Sequence, residues 1–273
     1  MIDAVELARV AARESRSVLA IRMAMVCGSV ARGLADESSD VDLYLYGDDV
    51  DGPSIGRTRP LEAAGAELVF GVPTPTGWFQ KYRLDGRFID VEFADVRVLD
   101  DAARDIDAGH LSPQLVRLAA GVRDAIPVIG EAELGHHRHR LQYGDAAALS
   151  AVRVHAGRLL PVSVLFSLTY SRGDLLSYAS RVSQVLLDAI ALIAAVNREF
   201  VPVDEPKWMG WHLERLARQP DRFADLIDDV FRSPTRELAE EADRMLLQVL
   251  DLVDASVPQA DTRIARFALG LGS

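Results

Sequence analysis

Cysteine is nearly missing. Cys27 stands alone in 273 residues, so an intrachain disulfide is excluded and a reducing, cytoplasmic setting is expected. Lysine is scarce too. Of 30 basic side chains only Lys81 and Lys207 are lysines, the rest being arginine, a bias that fits the codon usage of a GC-rich bacterial genome. Positive charge is in deficit, with 41 acidic groups giving a net −11. That balance argues against tight binding to a nucleic-acid backbone, which calls for clustered Lys and Arg. Long apolar runs are absent. The longest, Ala189 to Val196, falls short of the roughly 20 residues that span a bilayer, so no membrane partner is expected. The first residues carry no basic stretch leading into an apolar one, so no signal peptide is expected.

What is present divides into two parts. Residues 1–107 carry 12 basic and 20 acidic groups, residues 108–273 carry 18 and 21, so carboxylates concentrate in the first part. There the pattern is mixed. A helix is expected over 3–20, a buried strand at Met23 to Cys27, a short helix at Ser29 to Leu34, a polar loop at Ala35 to Ser39 and a strand at Val41 to Tyr46. Asp48 to Pro53 is acidic and turn-rich, 54–65 suits a short helix, and Glu67 to Val72 reads as a strand broken by Pro73 to Gly77. Gln80–Leu84 and Phe88–Phe93 flank Asp85-Gly86, a hairpin signal because glycine accepts positive φ. After residue 95 the period becomes helical, with helices expected near 97–108, 112–125, 133–156, 158–171, 174–199, 206–217, 220–231 and 234–255. The fold class is therefore α+β. A mixed-sheet domain, 1–107, precedes an all-helical domain, 108–273.

Asp40 and Asp42 lie two apart on an expected strand, so alternation puts them on one face while Val41, Leu43 and Leu45 face a core. Neighbouring carboxylates stay ionised only with a counter-charge, and Mg²⁺ is a suitable one. Alone, Asp-x-Asp also fits a solvated strand end. Gly28-Ser29 adds a second signal. Glycine at a strand end, opening a helix, lets backbone N–H groups approach an anion, and Ser29 adds a hydroxyl donor.

The stretch from Cys27-Gly28-Ser29 to Asp40-Val41-Asp42-Leu43 resembles the DNA polymerase β-like nucleotidyltransferase superfamily, in particular its small bacterial antibiotic-modifying and minimal members. The likeness covers roughly residues 20–95. It implies a third carboxylate on a later strand, for which Asp90 and Glu92 both qualify, Asp90 being preferred and Glu92 serving otherwise as general base. It implies two Mg²⁺ ions on Asp40, Asp42 and Asp90, and ATP or another NTP bound at Gly28 and Ser29. Arg32 and Lys207 are further candidates for phosphate contact, with a surface ion pair as the alternative for Arg32 and a surface lysine beside a packed Trp208 as the alternative for Lys207. Lys81 and Arg83 carry the same ambiguity as Arg32.

In the helical part, the resemblance draws attention to Asn197-Arg198 through Pro206-Lys207-Trp208. Asp204-Glu205 suits a cationic acceptor or a helix cap. His136, His137 and His139 read as a solvated helix start rather than a metal site, and Tyr143, Tyr170 and Tyr178 as packing residues. The activity implied is transfer of a nucleoside monophosphate to a hydroxyl of a small molecule such as an aminoglycoside or lincosamide, an antibiotic-resistance role. The alternatives are a protein- or tRNA-modifying enzyme of toxin–antitoxin type and a non-catalytic nucleotide-binding regulator.

Overall fold

The computed structural model describes residues 3–16, 19–50 and 52–270. Residues 17 and 18 of the expected first helix, Asp51 of the acidic turn and both chain ends lie outside them. The chain divides into two compact units, Met1–Arg104 with Leu118–Gln142, and Asp105–Arg117 with Tyr143–Ser273.

In the first unit, α1 (Ala4–Glu14) starts where the Asp3 carboxylate accepts the N–H groups of Val5 and Glu6, each at 3.0 Å. It ends well before residue 20, because the chain is already extended in β1 (Ala20–Cys27), whose outer end pairs with β2 (Ala20 opposite Asp48). A single turn of helix, α2 (Gly28–Ala31), leads through the polar loop to β2 (Val41–Asp48). The 54–65 region holds α3 (Gly52–Ile55) and a 3₁₀ turn at Glu62–Ala64. Then come β3 (Glu67–Thr74), β4 (Gly77–Leu84) and β5 (Arg87–Asp95). Pro73 to Gly77 is thus a hairpin connection and not a break. Pro73 pairs with Trp78 and Thr74 with Gly77 on the outermost strand, where a missing proline N–H costs no ladder bond. Asp85 and Gly86 both have positive φ, 50° and 80°, as the tight turn between β4 and β5 requires.

The sheet runs β3-β4-β5-β2-β1-β6, with β2 parallel to β5 and the other pairs antiparallel. One face is apolar. Val26, Val41, Leu43, Leu45, Ile89, Val91 and Phe93 pack with Leu7, Ala8, Val10 and Ala11 of α1 in one buried cluster. Sheet structure extends beyond residue 107. After α4 (Arg97–Asp107) and α5 (Pro113–Asp124), β6 (Ile126–Ile129) adds to the free edge of β1, followed by α6 (Glu131–Arg140). The helix expected over 133–156 is two helices, parted at Leu141–Gly144, where Leu141 leaves helical geometry.

The second unit is helical: α7 (Asp145–His155), α8 (Val162–Leu168), α9 (Leu175–Asn197), α10 (Met209–Arg215), α11 (Phe223–Arg232), α12 (Arg236–Ser256) and α13 (Arg263–Gly270). Its core lies along α9, buried from Asp188 to Val196, with α7, α8 and α12 against it. The length and apolar character of α9 match a membrane span on paper, but most of it is covered within this bundle. The α+β class stands: a mixed six-stranded sheet region, then a helical region.

Candidate active site

The polar face of the sheet is built at one end of β1 and β2. Cys27 pairs with Asp42, Asp42 pairs in parallel register with Asp90, and Asp90 pairs with Lys81 across β4–β5. Registered partners share a face, so Asp42, Asp90 and Lys81 stand in a row across three strands, with Asp40 just ahead of β2 on the same side. Glu92 lies one step further along, opposite Tyr44, and accepts a long hydrogen bond from Thr74 Oγ1 at 3.4 Å.

Gly28 fits this row tightly. Its φ is +64°, and a Cβ there would lie 1.8 Å from Asp42 Oδ2 and 2.8 Å from its Cγ. Only glycine lets the carboxylate lie against the backbone at the head of α2. Ser29 is buried, yet its hydroxyl makes no hydrogen bond among the described residues. The loop delivering Asp40 is tied by Asp36, whose Oδ1 accepts from Ser38 N, Ser38 Oγ and Ser39 Oγ at 2.8–2.9 Å. Those bonds, led by Ser38, hold the Asp36 carboxyl below its usual range.

Lys81 holds the carboxylates together. Its Nζ is 2.7 Å from Asp90 Oδ1 and 3.5 Å from Asp40 Oδ2. Burial works against the ammonium, but Asp90 and then Asp40 outweigh it and raise the lysine pKa. The Asp90 carboxyl is itself raised, because its burial exceeds the opposing pull of Lys81 and Asp40 adds repulsion. Asp90 Oδ1 is fully buried, and apart from the ammonium contact no donor is aligned on it. Glu92 is raised too, chiefly by burial. The Cys27 thiol is pushed far up by burial and then by Asp42, so it is no nucleophile.

Three carboxylates on one face supply the hard oxygen donors that a magnesium ion takes, and Asp90 keeps an oxygen without an aligned donor. The residues fit a divalent cation in kind. As they stand, no three His, Cys, Asp or Glu among the described residues are close enough to surround an ion, and Lys81 supplies the positive charge instead.

The remaining candidates are placed differently. Arg32 Nε lies 2.9 Å from Asp124 Oδ2, both side chains largely buried. Burial raises the Asp124 carboxyl, but Arg123 and Arg32 together outweigh it and leave its pKa lowered. Arg83 pairs with exposed Glu67. Lys207 is exposed in the second unit, just before α10. The Asn197-Arg198 segment does structural work: Asn197 bonds Ile193 O, Arg218 O and Arg218 N, while Arg198 caps α9 with φ +58° and pairs with Asp145. Asp204 and Glu205 both engage Arg117. The histidine patch lies inside α6, not at a solvated start. His137 is buried, its pKa lowered by burial, 3.9 Å from Glu133. Tyr143 packs on Phe200, and Tyr170 and Tyr178 on each other.

Lys81 is the site residue that reasoning along the sequence left unranked. The signal was present. A two-residue turn at Asp85-Gly86 fixes Leu84 opposite Arg87, and counting outward puts Lys81 opposite Asp90.

No protein-family model matches the chain, and no curated protein matches it. Among solved structures, a nucleotidyltransferase-like protein from Exiguobacterium sibiricum 255-15 is similar at 15% identity, with 93% of this chain and 75% of that chain covered and a TM-score of 0.43.

Proposed function

We propose that the first unit is a nucleotidyltransferase, moving a nucleoside monophosphate, AMP from ATP in the first instance, onto a hydroxyl of a small molecule with release of pyrophosphate. The observation that carries the reading is the row of Asp42 and Asp90 on adjacent strands, with Asp42 pressed against a glycine at the head of a helix. Asp40, Asp42 and Asp90 would hold the divalent ions, which when bound would neutralise the triphosphate and the departing pyrophosphate. Asp90 is favoured over Glu92 as third ligand because it is the register partner of Asp42. Glu92, one step further along the same face and with its pKa raised by burial, would take the acceptor proton. Ser29 and the backbone after Gly28 would bind phosphate oxygens. Lys207 and the tightly paired Arg32 have less to support them.

Calorimetry with ATP and Mg²⁺ tests this directly. The protein should show nucleotide binding that depends on the metal, and Asp42→Ala should lose it with little change in melting temperature, because Asp42 is on the polar face and outside the apolar cluster. No metal-dependent heat from the unaltered protein would leave a non-catalytic scaffold as the better reading. Labelled ATP and GTP offered with aminoglycosides, lincosamides, proteins and tRNA would then identify the acceptor.

A further inference from the structure

The helical unit contains a cavity of about 570 Å³, within the range of small-molecule sites. It is a slot along α9. Gln184, Leu187, Ala191 and Ala194, three and four residues apart, form one wall, and Val154 and His155 of α7 face them. The ten-residue step from Gln184 to Ala194 makes this wall about 15 Å long. Most of the lining is apolar.

Beside Ser112, Ser150, Glu199 and Asp204 of the lining, one polar cluster is built on a buried carboxylate. Asp188 is fully buried in α9, and its Oδ1 lies 2.6 Å from His155 Nδ1. Its Oδ2 accepts from Gln184 Nε2 at 3.3 Å, and Arg158 Nη1 is 3.9 Å from Oδ1. The buried carboxylate engages Nδ1, so Nε2 is the ring nitrogen left to a ligand. Nε2 makes no hydrogen bond among the described residues, and His155, its side chain 18% exposed, lines the cavity. Arg158, also on the cavity wall, has a guanidinium that is more than half exposed.

We propose that this slot binds a small, largely apolar molecule ending in a hydroxyl, an alcohol or phenol, with the hydroxyl on His155 Nε2. A hydroxyl can both donate and accept, so it can pair with Nε2 while accepting from Arg158. A carboxylate would meet Asp188 behind the ring and Glu199 and Asp204 on the lining. An ammonium would face Arg158. The site belongs to the helical unit alone and does not depend on the nucleotide reading.

The test uses the full chain and three probes of one shape: 4-propylphenol, propylbenzene and 4-propylbenzoate, followed by NMR titration. The phenol should bind at least tenfold more tightly than the other two and should move the ¹⁵N resonance of His155 Nε2, while propylbenzene should not. His155→Phe should bring the phenol down to the affinity of propylbenzene. Equal affinity of phenol and hydrocarbon for the unaltered protein, no phenol binding, or phenol binding that leaves the His155 resonance unmoved would each overturn the assignment. Those readouts need no variant, so a failure of His155→Phe to fold leaves the test intact.

Discussion

Lys81 gives the carboxylate row its stability in the absence of other cations, and this sets up a competition. Asp40 and Asp90 repel each other, and the ammonium between them relieves that repulsion. A divalent ion drawn to the same oxygens has to displace the ammonium, giving up a part-buried ion pair worth about 1 kcal/mol. Lys81→Met keeps the apolar stem and removes the charge. Mn²⁺ should then bind roughly fivefold more tightly, about 1 kcal/mol, in a calorimetric titration. Unchanged or weaker Mn²⁺ binding in the variant would show that lysine and metal do not contest the same oxygens. Most of this arrangement can be read locally. Alternation put Asp40 with Asp42 and Asp90 with Glu92, and the hairpin turn implied Lys81. The pairing of Asp42 with Asp90 could not be read, because β2 and β5 are separated by a whole hairpin and nothing near either strand specifies a parallel partner. His155 and Asp188 escaped notice for a similar reason. They are 33 positions apart on separate helices, and only packing brings them together.

Among the elements, α8 depends on a residue far away in sequence. Its first N–H groups have no acceptor within the helix, and Asp243 of α12 supplies one: it accepts from Val162 N, Ser163 N and Ser163 Oγ. No local cap residue announces the start of this helix, since Pro161 precedes it, so the periodicity set its boundary too early. Removing the acceptor with Asp243→Ala should cost about 2–3 kcal/mol, because buried donors are left unsatisfied. The charge is a separate matter. Burial raises the Asp243 pKa above its ordinary 3.8, against the pull of Ser163 and Val162. The folded state therefore binds the proton more tightly than the unfolded one. The resulting stabilisation is fully present below that ordinary value and is lost as pH rises through the folded-state pKa. Asp243→Asn keeps an acceptor and does not titrate. Chemical denaturation at pH 4 and pH 7 should show the aspartate protein gaining on the asparagine variant at the lower pH. A difference that stays constant or moves the other way would refute the burial argument.

At the scale of the whole molecule, composition suggested a division near residue 107, where strand period gives way to helical period. The first compact unit instead takes back residues 118–142. The four residues of β6, Ile-Pro-Val-Ile, are too few and too interrupted by proline to announce a strand, and they become one only because β1 offers an open edge. The same segment brings Asp124 to Arg32, next to α2, and Arg138 to the carbonyls of Val122 and Ala125. A chain ending at residue 107 would therefore expose the β1 edge, remove the Asp124 contact of Arg32 and leave Cys27 without its contact to Gly121 O. A chain ending at residue 142 keeps all of these. The shorter truncation should aggregate or melt without a cooperative transition, and the longer one should melt cooperatively with the circular-dichroism signature of a mixed α/β protein. Equal behaviour of the two truncations would mean that β6 only decorates the sheet, and that β1 is a stable edge strand without it.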